Sequence, residues 1–144
     1  MAERAPYIAP PMISPLTTLY EVLYVSVLAP GVPVSAVAAI ARHARAANAQ
    51  CGITGLLVFD GNCFCQQLEG MQKNVLSTMA RIEQDPRHVQ VSVVHQGRLA
   101  ARRFSSFSLE FSTAEDADLL EELRLLDGAA ALQAFERLRE SVLL

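Results

Sequence analysis

At four places in this sequence, polar side chains stand where its pattern calls for apolar ones. Tyr24 is in the middle of the apolar run LYEVLYVSVL, and Gln66 is in the middle of CFCQQLEG. Asn48 falls on the inner stripe of an amphipathic segment, and Arg87-His88 opens a further β-rich run. A buried phenol or carboxamide left without a partner destabilises a fold by about 1–3 kcal/mol. Singly, each has an ordinary explanation: Tyr24 reaching a backbone carbonyl, Asn48 ending a helix, Gln66 lying on an edge strand. Their coincidence in one small domain favours a shared role, one that depends on hydrogen bonds.

Standard catalytic chemistry finds no support. No phosphate-cradling G-x-x-x-x-G-K-[ST] or G-x-G-x-x-G occurs, and there is no G-x-S-x-G or H-E-x-x-H. The three cysteines, Cys51, Cys63 and Cys65, lack C-x-x-C spacing, and His43, His88 and His95 do not complete a metal set. The cysteines read as small apolar side chains in a reduced, cytoplasmic protein with no signal peptide. Net charge is -3, from 12 Lys+Arg against 15 Asp+Glu. That balance shows no basic stripe for nucleic acid, and Arg42, Arg45, Arg102 and Arg103 read as solvated points. No apolar stretch is long enough to span a bilayer. The expectation is no metal, no nucleic acid, no membrane and no enzymatic turnover.

The elements that must position the polar four follow from periodicity. Residues 1–16, with Pro6, Pro10, Pro11 and Pro15, read as a flexible arm. Leu19 to Leu28 is nearly apolar on both faces, as in a central strand covered from two sides. Ser35 is placed to cap a helix over 35–50, with Val37, Ile40, Ala41, Ala44 and Asn48 on one stripe and Gly52 ending it. Strands are expected over 52–60 and 63–69, joined by a tight turn at Asp60-Gly61-Asn62. A second helix, 72–84, turns Val75, Met79 and Ile82 inward and stops at Asp85-Pro86. Strands over 89–94 and 104–111 come next, then two amphipathic helices broken at Asp127-Gly128. The first carries Leu119, Leu120, Leu123 and Leu126; the second carries Leu132, Phe135, Leu138 and Val142.

The fold class is α+β. The expected plan is ferredoxin-like, β-α-β-β-α-β-β, with a five-stranded mixed sheet. Two helices would cover one face and the C-terminal helices the other. Residues 17–112 would form the core and 113–144 a helical extension packed on the sheet.

Five groups of residues together resemble the BLUF family of flavin-binding blue-light sensors. They are Leu23-Tyr24-Val25-Ser26; Ala44-Arg45-x-x-Asn48 with Gly52-Ile53-Thr54-Gly55; Phe64-x-Gln66-x-Leu68-Glu69-Gly70; Asp85-Pro86-Arg87-His88; and Arg103-Phe104. The resemblance runs from Leu19 to Phe111 in the family's order and spacing. It implies a flavin, usually FAD, with FMN or riboflavin as alternatives, its ring lying between the two helices. Asn48 would bond the ring's polar edge. Arg87 would sit near a ring carbonyl, with Asp85 and His88 shaping that end, and Gln66 would lie between Tyr24 and the flavin. The implied chemistry is light-driven electron and proton transfer from Tyr24, followed by reorganisation of Gln66 and a red-shifted ground state.

Three positions depart from the family pattern. The fifth strand commonly carries Trp and, two residues later, Met; here these match Phe107 and Leu109, candidates for signal transmission. Ala47 stands where some relatives carry a larger polar residue. The expected output of a stand-alone sensor is light-dependent binding to an effector protein, or self-association, with the last helix as a candidate docking surface. The runner-up is an interaction module on the same fold with light switching lost or altered. A small thiol or phosphoryl hydrolase ranks below both, because Cys63 and Cys65 have no paired base.

Overall fold

The computed structural model describes residues 18–111 and 117–142. The arm expected over residues 1–16 lies outside them. Strands β1 (Leu19–Leu28), β2 (Thr54–Phe59), β3 (Cys63–Met71), β4 (His88–Arg98) and β5 (Phe107–Phe111) alternate with helices α1 (Val37–Gln50) and α2 (Gln72–Gln84). Helices α3 (Ala117–Arg124) and α4 (Gly128–Val142) follow. The sheet order is β4-β1-β3-β2-β5. Its first four strands are antiparallel, and the short β5 joins β2 in parallel at the edge.

Side chains alternate between the two faces of a strand, so neighbouring residues belong to different cores. Val22, Tyr24, Leu57, Phe59, Phe64 and Leu68 pack with Val37, Ile40, Val75 and Met79 of α1 and α2. Leu23, Val25, Leu56, Val58, Cys63 and Cys65 pack with Leu120 and Leu123 of α3 and with Ala131, Ala134, Phe135 and Leu138 of α4. Covering on both sides explains why β1 is largely apolar on both faces, with Glu21 and Ser26 as buried exceptions. It also settles the position of Gln66, which lies on central β3 in a row with Tyr24 and Leu57 and not on an edge.

The hairpin turn forms as the sequence predicts. Gly61 takes φ +101°, and Asp60 Oδ1 accepts the backbone N–H of Asn62 at 2.9 Å and of Cys63 at 2.7 Å. Other details differ from the sequence expectation. Ser35 makes no cap: Val34–Ala36 form a 3-10 turn after Pro33, and α1 begins at Val37 without a side-chain cap. Proline's fixed φ starts that turn one residue before Ser35. β4 extends past Val94 to Arg98, because β1 is long enough to pair with it out to Tyr20. β5 starts only at Phe107. The backbone N–H groups of Arg103 and Phe104 go instead to the Glu69 carboxylate, at 3.0 and 2.8 Å.

Arg102 and Arg103 are not free solvated points. Arg102 Nη1 donates to Thr54 Oγ1 at 2.8 Å and to the Glu69 carbonyl at 3.1 Å, and Arg103 pairs with Glu21. Arg42 and Arg45 are exposed as expected.

Gly55 fixes the approach of β2 to β3. A Cβ there would lie 1.9 Å from the Gln67 carbonyl oxygen, a backbone atom with no freedom to yield. Gly55→Ala should therefore destabilise by about 3 kcal/mol or prevent folding. Gly97→Ala, whose nearest neighbour is a His95 ring atom at 4.0 Å, should change stability far less. Urea denaturation midpoints compare the two, and equal midpoints would refute the packing argument.

Candidate functional site

Tyr24, Asn48, Gln66, Asp85, Arg87 and His88 all line one cleft of about 170 Å³ between α1, α2 and the sheet. Each element contributes for a structural reason. β1 and β3 pair Tyr24 directly with Gln66. The last turn of α1 turns Asn48 inward, where its backbone carbonyl accepts the N–H of Ile53 at 2.8 Å and anchors the helix end. The stop of α2 at Gln84 delivers Asp85, Arg87 and His88 to the cleft's far end. Ile40, Ala44, Leu57 and Ile82 supply apolar wall.

The Tyr24 hydroxyl donates to Gln66 Oε1. Tyr24 is fully buried, and burial pushes its phenol well above its ordinary pKa, with Cys65 and Asp85 adding to the effect. The ring is therefore neutral and keeps its proton on the bond to Gln66. In a dry setting a change in that bond carries large electrostatic weight.

Asp85 and Arg87 close on each other: Nε lies 3.0 Å from Oδ1, and Nη2 lies 2.7 Å from Oδ2. The guanidinium's hydrogen bonds hold the Asp85 carboxyl below its usual pKa. Arg87 is thereby fixed as a charged wall of the cleft, partly open to solvent. His88 Nδ1 lies 3.0 Å from Ser26 Oγ, and its ring packs 4.7 Å from that of Phe64.

Burial lowers the His88 pKa from 6.5, so His88 is neutral in the folded protein at pH 7. The unfolded chain then binds the proton more readily. The resulting contribution to stability is complete above about pH 6.5 and is lost as the pH falls through the folded-state value. The melting temperature should drop as pH is lowered below 6.5, and His88→Gln should flatten that drop. An unchanged pH profile in the variant would contradict the assignment.

The side chains of Phe107 and Leu109 lie outside the described residues. Sequence reasoning missed Ser26, Thr78 and Arg81. Ser26 was within reach, two residues from Tyr24 on the same strand face. Thr78 and Arg81 lie on the α2 side of the cleft, with Arg81 Nη2 donating to Thr78 Oγ1 at 3.1 Å.

A flavin ring offers flat, largely apolar faces and one polar edge of carbonyls and an N–H. The cleft fits that description on one decisive point. Asn48 is 2% exposed, and its Nδ2 has no hydrogen-bond partner among the described residues. A buried donor of this kind, on a residue that lines a cleft, calls for an acceptor from outside the chain. The residues present therefore fit the group.

Comparison with known proteins agrees. The family model described as "BLUF: Sensors of blue-light using FAD" matches residues 19–110. The photoactivated adenylate cyclase subunit beta of Euglena gracilis is 38% identical over 100 residues, 69% of this chain and 12% of that protein. The blue light- and temperature-regulated antirepressor BluF of Escherichia coli (strain K12) is 34% identical over 119 residues, 83% of this chain and 27% of that protein. The chain thus spans only a small part of these relatives' length. Among solved structures, the dark state of BlrB, a BLUF protein, superposes with a TM-score of 0.69 at 28% identity, covering 85% of this chain and 95% of that one.

Proposed function

Since this chain belongs to the BLUF family, the flavin-binding sensors of blue light, we propose that it is a blue-light receptor that holds FAD by its ring and signals through Tyr24 and Gln66. The observation that carries the reading is a buried phenol donating to a buried glutamine, in one cleft with an Asn48 amide donor that has no partner among the described residues. When bound, the flavin supplies absorption of blue light and an excited state able to accept an electron. Asn48 Nδ2 would donate to a ring carbonyl, and the Asp85-paired Arg87 would serve the ring's polar edge. Ile40, Ala44 and Ile82 would exclude water from the ring.

The chain's own part of the reaction is a proton movement. The proton rests on Tyr24 Oη and points at Gln66 Oε1. Oxidation of the phenol makes that proton strongly acidic, and it passes along the existing hydrogen bond to Oε1. Return of the electron leaves a tyrosinate, which takes a proton back from the O-protonated Gln66 amide and becomes the phenol again. The amide, having rotated or exchanged its O–H and N–H protons while protonated, then presents a different hydrogen-bond edge to the cleft.

The wider reading is a cytoplasmic signalling protein on a ferredoxin-like plan, with residues 17–112 sensing and 113–144 forming the output extension. Light would change its binding to an effector protein or to a second copy, with no turnover of its own. Among the described residues, no helix is long and apolar enough to cross a membrane.

Tyr24→Phe tests the electron-donor role. It removes the donor hydroxyl and keeps the ring, so flavin should remain bound while its fluorescence lifetime lengthens several-fold over the unmodified protein. Equal lifetimes in the two proteins would contradict Tyr24 as the donor.

A further inference from the structure

Gln66 faces the cleft, so its neighbour Gln67 must face the opposite side of the sheet. There it is completely buried, on the face that carries the apolar core under α3 and α4. Its Nε2 reaches Glu21 Oε1 at 3.4 Å, and its Oε1 is buried with no hydrogen-bond partner among the described residues. Glu21 is itself only 2% exposed. His95 Nε2 lies 3.3 Å from its Oε1, and Arg103 Nη2 lies 3.2 Å from its Oε2. Arg103 then turns its other nitrogen, Nη1, toward Glu136 Oε1 on α4, at 3.7 Å. Glu136 continues to Arg139 at 3.2 Å on the same helix.

A buried carboxylate and amide are a poor way to gain stability, because desolvation consumes much of what the pairing returns and apolar side chains would serve as well. What this arrangement supplies instead is a directional connection. It starts at the peptide unit shared by Gln66 and Gln67 and ends on a helix on the far face. The connection is also loosely made at its first joint. The Gln67–Glu21 bond is long and the Gln67 oxygen is unsatisfied, so a small shift of β3 can tighten or break it. Phe107 and Leu109, by contrast, carry no side-chain atom able to donate or accept a hydrogen bond.

We infer that Glu21 and Arg103 are positioning residues for signal output: the chain Gln67–Glu21–Arg103–Glu136 carries the rearrangement of Gln66 through the sheet to α4. The inference rests on the light-sensing reading above. Coupling of this kind travels through contiguous hydrogen-bonded groups joined to a rigid element, and demonstrating it requires a measured coupling in addition to adjacency.

The test is hydrogen exchange of the α4 amides in the flavin-loaded full chain, in the dark and under continuous blue light, with the absorption spectrum recorded on the same samples. The variants are Glu21→Gln, which keeps shape and removes charge, and Arg103→Gln, whose own side chain is partly exposed. The melting temperature of each is recorded first, and exchange is compared at a temperature where both are folded. In the unmodified protein, light should red-shift the flavin and change α4 exchange. Both variants should keep the red shift at full amplitude and lose the α4 response, and Arg103→Lys should restore part of it. An α4 response that survives in both variants overturns the relay. So does an unmodified protein that red-shifts with no change in α4. Absence of any red shift in the unmodified protein overturns the sensing reading itself, and that result is read from the spectrum before exchange is measured.

Discussion

Replacing Gln66 with leucine should leave flavin bound and abolish the light-induced red shift. Leucine matches much of glutamine's bulk, and Gln66 lies in a central row of the sheet between Tyr24 and Leu57, so the fold has room for it. The contacts assigned to flavin binding, from Asn48 and from the Asp85–Arg87 pair, are untouched. What disappears is the amide that the Tyr24 hydroxyl addresses. The phenol is then a buried donor without its acceptor, so stability should also fall by about 1–3 kcal/mol. Absorption spectra before and after blue light, together with a denaturation curve, read both effects. A red shift that persists in Gln66→Leu would remove Gln66 from the mechanism.

The second large effect concerns Asn48, and its value lies in two changes of opposite kind. Nδ2 of Asn48 already lacks a partner among the described residues. Asn48→Ala therefore removes an unsatisfied donor from the flavin-free protein, whose stability should hold or rise. Flavin affinity should fall roughly 10- to 100-fold, because about 1.4 kcal/mol of lost hydrogen bonding corresponds to each factor of ten. Titration of the flavin-free protein with FAD, alongside its melting temperature, measures both. A variant that loses stability and affinity in parallel would show Asn48 to be an ordinary core residue.

How far the sequence alone reached depended on whether a feature is periodic or depends on register. The two-faced burial of β1, the inward stripe of α1 ending on Asn48 and the turn at Gly61 are local patterns, and each is present in the structure. The start of α1 was misread because Pro33 imposes a 3-10 turn that overrides the capping preference of Ser35. The start of β5 was misread because Arg103 and Phe104 give their N–H groups to Glu69, a partner more than thirty residues away.

The same distinction applies to the site. Tyr24, Asn48 and Gln66 were visible as polar residues in apolar runs. The pairing of His88 with Ser26 required the β1–β4 register, which two irregularities displace. Gln66 and Gln67 are adjacent amides in one apolar run, and the family motif picks out the first. The alternation of β3 against its neighbours gives the physical reason, since one faces the cleft and the other a buried ionic chain.

The most direct measurement is the absorption spectrum of the purified, flavin-loaded protein in the dark, under blue light and again after return to darkness. A reversible red shift of the flavin bands, arising without net reduction of the flavin, is the expected result. Bound flavin whose spectrum does not change under blue light would contradict the Tyr24–Gln66 switch.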